Sequence, residues 1–212
     1  MTARRAGLLV AAALVLGACG LAQKVQQRIQ ARPVGAEWVR LRDAATRQVT
    51  LYDGFLHRAT ATATFLSPAV REARARQLAV WLSWSPEELE RQLAAERADA
   101  EQYDDFVVSF FAADFVSNDL DAPRSVWRMA VEVPEAEVLP VRVTTVDRDA
   151  TILTLYPWVG RFDTVYVMRF PRAPGAPLME RPFVLMIASA MGQLALDYGT
   201  PPGTVRLPDQ AP

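Results

Sequence analysis

The stretch RATATATF, residues 58–65, carries an apolar side chain at every second position. Successive side chains of a strand point to opposite faces of a sheet, so this alternation predicts a strand with one face in a core. The same period extends back to Val49 and forward to Leu66, which predicts one long, half-buried strand over 49–66. Patterning of this kind decides the fold class, because it recurs through much of the chain after residue 105.

Strand-like segments follow one another from residue 106 onward. Residues 106–111 (FVVSFF) are almost entirely apolar, which is typical of a central strand covered on both faces. Segments 127–133 and 139–143 alternate and indicate half-buried strands. The remaining strand candidates are 151–156, 164–170, 183–188 and 194–198. About seven or eight short strands at this spacing predict a mainly β fold, an antiparallel immunoglobulin-like sandwich.

Helical signals interrupt the strands over residues 68–104. Ser67 and Pro68 suit the N-cap and first position of a helix, and SPEE at 85–88 has the S-x-x-E spacing of a capping box. We therefore expect a two-helix hairpin inserted between the first strands and the rest. The alternative is an α+β fold in which this hairpin packs on one open antiparallel sheet.

Composition excludes several classes of function. The 212 residues are 51% hydrophobic and 22% charged, which suits one globular domain. A net charge of -1 gives no basic excess for binding nucleic acid. The only cysteine, Cys19, and the only histidine, His57, allow neither a disulfide framework nor a Cys/His zinc site. The sequence also has no G-x-S-x-G elbow, no phosphate-binding glycine loop and no EF-hand spacing, so we expect no catalytic residue, metal or cofactor, and no enzyme activity.

The N-terminal residues 1–18 have the layout of an export signal. Arg4 and Arg5 precede an apolar run of about eleven residues, which is shorter than the roughly 20 that a transmembrane helix needs. The run ends in Leu16, Gly17, Ala18 and Cys19, which resembles the lipobox of bacterial lipoproteins.

The resemblance to lipoproteins implies cleavage before Cys19 and lipidation of its thiol. Two or three acyl chains would hold the protein stably on a membrane that it does not cross. Gly20 stands where an aspartate would signal inner-membrane retention, which implies the periplasmic face of the outer membrane of a Gram-negative bacterium. The alternatives are cleavage after Ala18 by ordinary signal peptidase, which would leave a soluble protein with a free thiol, or a buried cysteine.

Four regions follow from these signals. They are a signal peptide at 1–18, a lipid-anchored tether at 19–37, a single globular domain at 38–200 and an extended proline-bearing tail at 201–212.

Two loops are richer in polar or aromatic residues than turns require. The candidate binding residues are Asp114, Asn118, Asp119 and Asp121 in the first loop, and Tyr156, Trp158 and Arg161 in the second. At one end of a sandwich they would form an acidic rim beside an aromatic anchor, a composition suited to binding. The alternatives are a capped turn or a cation site for the first loop, and a plug over the core for the second.

These features favour a membrane-anchored periplasmic lipoprotein that acts as a cell-envelope interaction or structural module. Its partners would be the membrane, through the lipid anchor, and an envelope protein. The alternative function is a lipoprotein that binds a small ligand, either a glycan or a peptide.

Overall fold

Nine strands and four helices follow one another in residues 33–199, the part of the chain that the computed structural model describes. The helices are α1 (Ala36–Ala44), α2 (Pro68–Leu82), α3 (Pro86–Gln102) and α4 (Ala150–Leu155). The strands are β1 (Thr46–Asp53), β2 (Leu56–Phe65), β3 (Tyr103–Ala112), β4 (Arg128–Val133), β5 (Ala136–Val138), β6 (Arg142–Val146), β7 (Thr164–Pro171), β8 (Val184–Ser189) and β9 (Gly192–Asp197). Strand makes up 37% and helix 32% of the described residues, so the fold is mixed. The prediction of a mainly β fold is therefore corrected.

The strands form two antiparallel sheets. The first contains five strands in the order β1-β2-β3-β7-β6, and the second contains four in the order β5-β4-β8-β9. In the first sheet Phe65 lies opposite Phe106, and in the second Val131 lies opposite Leu185. The prediction of antiparallel pairing is confirmed.

One hydrophobic core contains side chains from both sheets. The alternation that marks β2 places Ala59, Ala61 and Ala63 in this core, where each is fully buried. The second sheet contributes Leu185, Ile187, Leu194 and Leu196. Aromatic rings connect the two sheets across this core: Phe65 of β2 packs edge-on against Phe183, which directly precedes β8, with ring centroids 5.2 Å apart. Burying each such ring stabilises the fold by about 1.5–3 kcal/mol.

A second core lies on the other face of the five-stranded sheet. It contains Val107 of β3 and Val165 of β7, covered by Trp38 of α1, Val70 of α2 and Leu155 of α4. Strand β3 therefore packs on both faces, which explains why residues 106–111 are apolar throughout and confirms the central-strand prediction.

The predicted helical hairpin is present as α2 and α3. Ser67 Oγ accepts from the amide of Val70, and Ser85 Oγ accepts from the amide of Glu88 at 3.2 Å. Ser83 ends α2 in the left-handed conformation, with φ of 57°. The hairpin interrupts two strands that pair directly with each other, β2 and β3.

An ion-pair network joins the hairpin to the sheet. Arg71 of α2 donates to Asp105 of β3 at 2.8 Å and to Glu96 of α3 at 2.9 Å. Arg169 of β7 donates to both oxygens of Asp105 and to Asp99 of α3. Because Asp105 receives two guanidinium groups, its buried charge is compensated from the helix side and from the neighbouring strand.

Two strand predictions are wrong. The long strand predicted over 49–66 is a β-hairpin, because Asp53 pairs with Leu56 across a two-residue turn. Gly54 has φ of 58° in this turn, as the first central residue of a type II′ turn requires. Segment 151–156, predicted as a strand, is mostly helix α4, whose first turn is capped by the Asp149 carboxylate accepting from the amide of Ile152 at 2.8 Å.

The described residues begin within the predicted tether at 19–37 and end just before the predicted tail at 201–212. Helix α1 begins at Ala36, two residues before the predicted start of the domain, and the Gly35 amide donates to Gln77 Oε1 at 2.6 Å. The signal peptide, Cys19, most of the tether and the tail at 201–212 lie outside the described residues.

Candidate functional site

The two candidate loops lie side by side at one end of the five-stranded sheet. Strand β3 ends at Ala112, next to the start of its antiparallel neighbour β7 at Thr164. Asn118 Nδ2 of the first loop donates to Thr164 Oγ1 at 3.1 Å, and the Tyr166 hydroxyl donates to the carbonyl oxygen of Asn118 at 3.0 Å. The topology therefore brings the β3–β4 loop against the segment that leads from β6 through α4 to β7.

Two tight turns complete this end of the molecule. Ala59 near the start of β2 lies opposite Ala112, which puts the β1–β2 turn there. Arg128 at the start of β4 lies opposite Ala188, which puts the β8–β9 turn there as well. A Cβ atom on Gly192 would lie 2.8 Å from Leu51 Cδ1, so glycine permits the close approach of β9 to β1.

Large apolar side chains are concentrated on these four connections. Of the fourteen exposed large hydrophobic residues in the described chain, eight lie on the two turns and the strand residues that flank them, on the β3–β4 loop and on the segment between α4 and β7, with exposed fractions from 37% to 105%. We call these eight the apolar rim: Tyr52, Phe55, Leu56, Phe115, Val116, Val126, Phe162 and Met191. Apolar side chains that are exposed singly are normal on a protein surface, whereas a group of them at one end of a fold marks a candidate interaction site.

The β1–β2 part of the rim is held in place by stacking and an ion pair. The His57 ring lies between Tyr52 and Phe111, with ring centroids 5.6 Å and 5.2 Å away. His57 Nε2 is 2.7 Å from Thr60 Oγ1, and Arg58 donates to Asp53 at 2.6 Å. These contacts fix the hairpin that presents Phe55, whose side chain is fully exposed.

The acidic residues of the β3–β4 loop accept hydrogen bonds from neutral groups. Asp114 accepts from the Val116 amide and from the Ser117 hydroxyl. Asp119 accepts from the Ser125 hydroxyl at 3.0 Å, and Asp121 from the Thr145 hydroxyl at 2.6 Å. None of these donors carries a positive charge, so the hydrogen bonds orient the carboxylates without neutralising them. No group of three or more His, Cys, Asp or Glu residues in the described chain is arranged to hold a metal ion.

The aromatic loop divides between the interior and the surface. Tyr156 is buried and Trp158 is half-buried, whereas Arg161 and Phe162 are exposed. The Tyr156 ring packs edge-on against Trp38 with centroids 5.7 Å apart and lies 5.3 Å from the Trp158 ring. Tyr156 is therefore part of the second core, and its prediction as a surface contact is corrected. The surface aromatic residue of this loop is Phe162.

Several buried polar atoms around Tyr156 lack a hydrogen-bond partner. They are Trp38 Nε1, the Tyr156 hydroxyl, Trp158 Nε1 and Arg74 Nε. We call these four residues the Tyr156 cluster. Arg74 also pairs with Glu96 at 2.6 Å, and burial raises the pKa of the Tyr156 hydroxyl despite the nearby Arg74 guanidinium. Buried polar groups are usually satisfied, so this cluster has unused capacity for water or another polar group.

None of the eight rim residues is among the candidate binding residues predicted from the sequence, although Phe115, Val116 and Phe162 lie in the two candidate loops. The signal for the β1–β2 part is Asp53-Gly54, a turn dipeptide, followed directly by the apolar residues Phe55 and Leu56. Apolar residues at a turn have no sheet face to pack on and are exposed by the turn itself. The signal for the β8–β9 part, Met191 beside Gly192, is weaker.

Within residues 33–199, no helix combines the length and apolar character needed to cross a bilayer. Comparisons of this chain with protein-family models, with curated proteins and with solved structures give no match.

Proposed function

We propose that the chain is a membrane-anchored periplasmic lipoprotein that acts as a cell-envelope interaction module and docks a protein partner through the apolar rim. The observation that carries this proposal is the concentration of eight exposed hydrophobic residues on adjacent connections at one end of the sheets. Each square ångström of apolar surface removed from water contributes about 25 cal/mol, so covering such a surface is favourable. A partner that covers the rim would gain that free energy.

The rim is also built in a way that suits recognition. Its side chains are presented by two tight turns and two loops at the ends of hydrogen-bonded strands, so the backbone beneath them is fixed before binding. The proposal includes an immunoglobulin-like sandwich for the two sheets, which the shared core supports. Loops at the end of such a scaffold can contact a partner without disturbing the core.

The anchor in this proposal is Cys19, and its support is the lipobox-like sequence before it. The segment of about 16 residues from Cys19 to Gly35 could span at most about 55 Å when fully extended. That reach is sufficient to place the rim away from the membrane that carries the anchor. The glycine at position 20 supports the outer membrane as that membrane.

Two measurements test the proposal. The first compares the wild type with Cys19→Ala by membrane fractionation and intact mass; we expect acyl chains on the wild type and release or misprocessing of the variant. The second compares protein crosslinks in intact cells between the wild type and the rim variant Phe55→Ser/Val116→Ser, with Leu82→Ser/Leu139→Ser as a control. Leu82 and Leu139 are exposed apolar residues outside the rim.

The expected result is loss of specific crosslinks in the rim variant only. The anchor would be contradicted if the wild type carried no acyl chains and the Cys19→Ala variant still fractionated with membranes. Crosslinks that survive the rim substitutions would contradict docking through the rim.

The second candidate function is a small-ligand binder for a glycan or a peptide, and the Tyr156 cluster favours it. The two indole N–H groups of Trp38 and Trp158, which have no partners, could donate to the oxygen atoms of such a ligand. The test is thermal melting with N-acetylglucosamine oligomers and alanine-rich tripeptides. A ligand-induced rise that Trp158→Phe abolishes would support this function, because the substitution removes the Trp158 donor and keeps most of the ring.

A further inference from the structure

The apolar rim is accompanied by an excess of negative charge. The four connections, taken as 53–58, 113–127, 147–163 and 189–192, contain seven aspartates and four arginines. Three of the aspartates, Asp114, Asp119 and Asp121, accept hydrogen bonds from neutral donors only. Arg58, in contrast, is paired with Asp53 at 2.6 Å. The β3–β4 loop therefore carries three carboxylates without an ion pair against the single cation Arg124, on the same loop as Phe115, Val116 and Val126.

These carboxylates are oriented before any partner arrives. Asp119 is held by Ser125 of its own loop, and Asp121 is held by Thr145 of β6. Each of these bonds occupies one carboxylate oxygen, which leaves the other oxygen available to accept from a partner. Preoriented acceptors at the edge of an apolar surface give specificity and faster association with a cationic partner.

The same charge pattern disfavours two other occupants of the rim. A bilayer rich in anionic lipid repels a surface with excess aspartate. A second copy of the chain would bring the same negative loop against itself, which costs free energy at close range. A protein surface with basic residues around an apolar pocket has neither disadvantage.

We propose that the partner of the rim is a protein whose contact surface has an apolar pocket flanked by lysine or arginine residues. This inference rests on the proposed docking function of the rim. Phe55 and the Phe115–Val116 pair enter the pocket, and Asp119 and Asp121 accept from the flanking basic side chains. Binding therefore weakens as salt is added, in contrast to a contact made by apolar burial alone.

The first experiment measures the effect of charge with defined probes. Two leucine-rich amphipathic helical peptides that differ only in lysine or glutamate on the polar face are titrated into the full chain at low and high salt. We expect the lysine peptide alone to bind, and Asp119→Asn/Asp121→Asn to weaken it about 3- to 10-fold. Asparagine keeps the oxygen that accepts from each hydroxyl. The matched control is Glu90→Gln/Glu101→Gln, which removes two exposed charges from α3.

The second experiment identifies the natural contact. A photoreactive phenylalanine analogue replaces Phe55 in cells, and the crosslinked partner peptide is sequenced. The expected peptide is apolar and lies next to lysine or arginine, and its yield falls in Asp119→Asn/Asp121→Asn. A partner surface without basic residues, or equal binding of both probe peptides, would overturn the charge inference while leaving docking through the rim intact.

Two further outcomes would overturn the inference in favour of another occupant. One is co-sedimentation with vesicles of phosphatidylethanolamine and phosphatidylglycerol that Phe55→Ser abolishes. The other is a concentration-dependent dimer that Phe55→Ser dissociates. In contrast, unchanged cellular crosslinks in the Phe55→Ser/Val116→Ser variant would contradict the proposed docking function itself.

Discussion

Arg71 and Asp105 form an ion pair in the interior: Nη2 lies 2.8 Å from Oδ2, and each side chain is only 3% exposed. Removing one member of such a pair leaves the other charge buried without compensation. We expect Asp105→Ala to lower the free energy of unfolding by at most about 3–5 kcal/mol. The substitution removes the carboxylate that Arg71 and Arg169 share, while Arg71 keeps Glu96 and Arg169 keeps Asp99 as partners. Urea denaturation measures the change.

Asp99 is the matched control for Asp105. It also pairs with Arg169, at 2.6 Å, but it is 48% exposed. Asp99→Ala should cost less than about 1 kcal/mol, since water screens an exposed pair. Equal losses for the two variants would show that burial does not set the strength of this network.

Asp104 predicts a pH dependence of stability. Burial raises the pKa of its carboxyl group above the ordinary value, and the nearby Arg172 only partly offsets this effect. The folded state then binds the proton more tightly than the unfolded state does. The stability contributed by this group is full below about pH 4 and is lost as pH rises through the folded-state pKa.

The variant Asp104→Asn isolates this effect, because the amide does not titrate. We expect the stability difference between the variant and the wild type to grow in favour of the variant from about pH 4 to pH 7. Urea midpoints at several pH values measure it. A difference that stays constant with pH would contradict the raised pKa.

Leu93 fixes helix α3 to the rest of the fold. It is 1% exposed, although most of α3 is polar and faces solvent. Leu93→Ala should therefore destabilise by about 2–5 kcal/mol, the usual range for a buried leucine. Leu89, one helical turn earlier and only half-buried, gives the control. An equal effect of Leu89→Ala on the melting temperature would mean that α3 packs in another way.

Gly54 gives a prediction for the β1–β2 turn. Its φ of 58° costs a non-glycine residue about 1–3 kcal/mol, and asparagine occurs more readily than alanine at positive φ in turns of this type. No heavy atom lies within 4 Å of a Cβ built on Gly54, so the cost is conformational and not steric crowding. We expect Gly54→Ala to lower the melting temperature more than Gly54→Asn. The reverse order would contradict this account of the turn.

The sequence predicts local secondary structure better than it predicts the tertiary contacts of each element. Alternation in 58–65 and the capping signals at Ser67 and Ser85 describe real elements, because strand faces and helix starts depend on neighbouring residues. The β-branched residues of segment 151–156 favour a strand, but the cap from Asp149 and the burial of Leu155 stabilise a helix there.

The candidate site shows the same limit. The β3–β4 loop and Phe162 could be picked out as rich segments, but the rim depends on the strand order that gathers four connections at one end. The ion pairs of Arg71 and Arg169 could not be predicted either. Arginine and aspartate are normally exposed, and their partners here are 34 and 64 positions away in the chain.

The position of the helical hairpin also determines how the chain can fold. Strands β2 and β3 pair directly, and their last hydrogen bond runs from the Leu66 amide to the Asp105 carbonyl at 2.8 Å. The chain between these two residues contains α2 and α3, so the helical hairpin takes the place of a turn. Closing a loop of about 38 residues costs about 2–3 kcal/mol more than closing a two-residue turn. Pairing of the central strands should therefore follow the docking of α2 on α3, which brings the two strand ends together. The central ladder of the first sheet is then completed only after contacts that are local in sequence have formed.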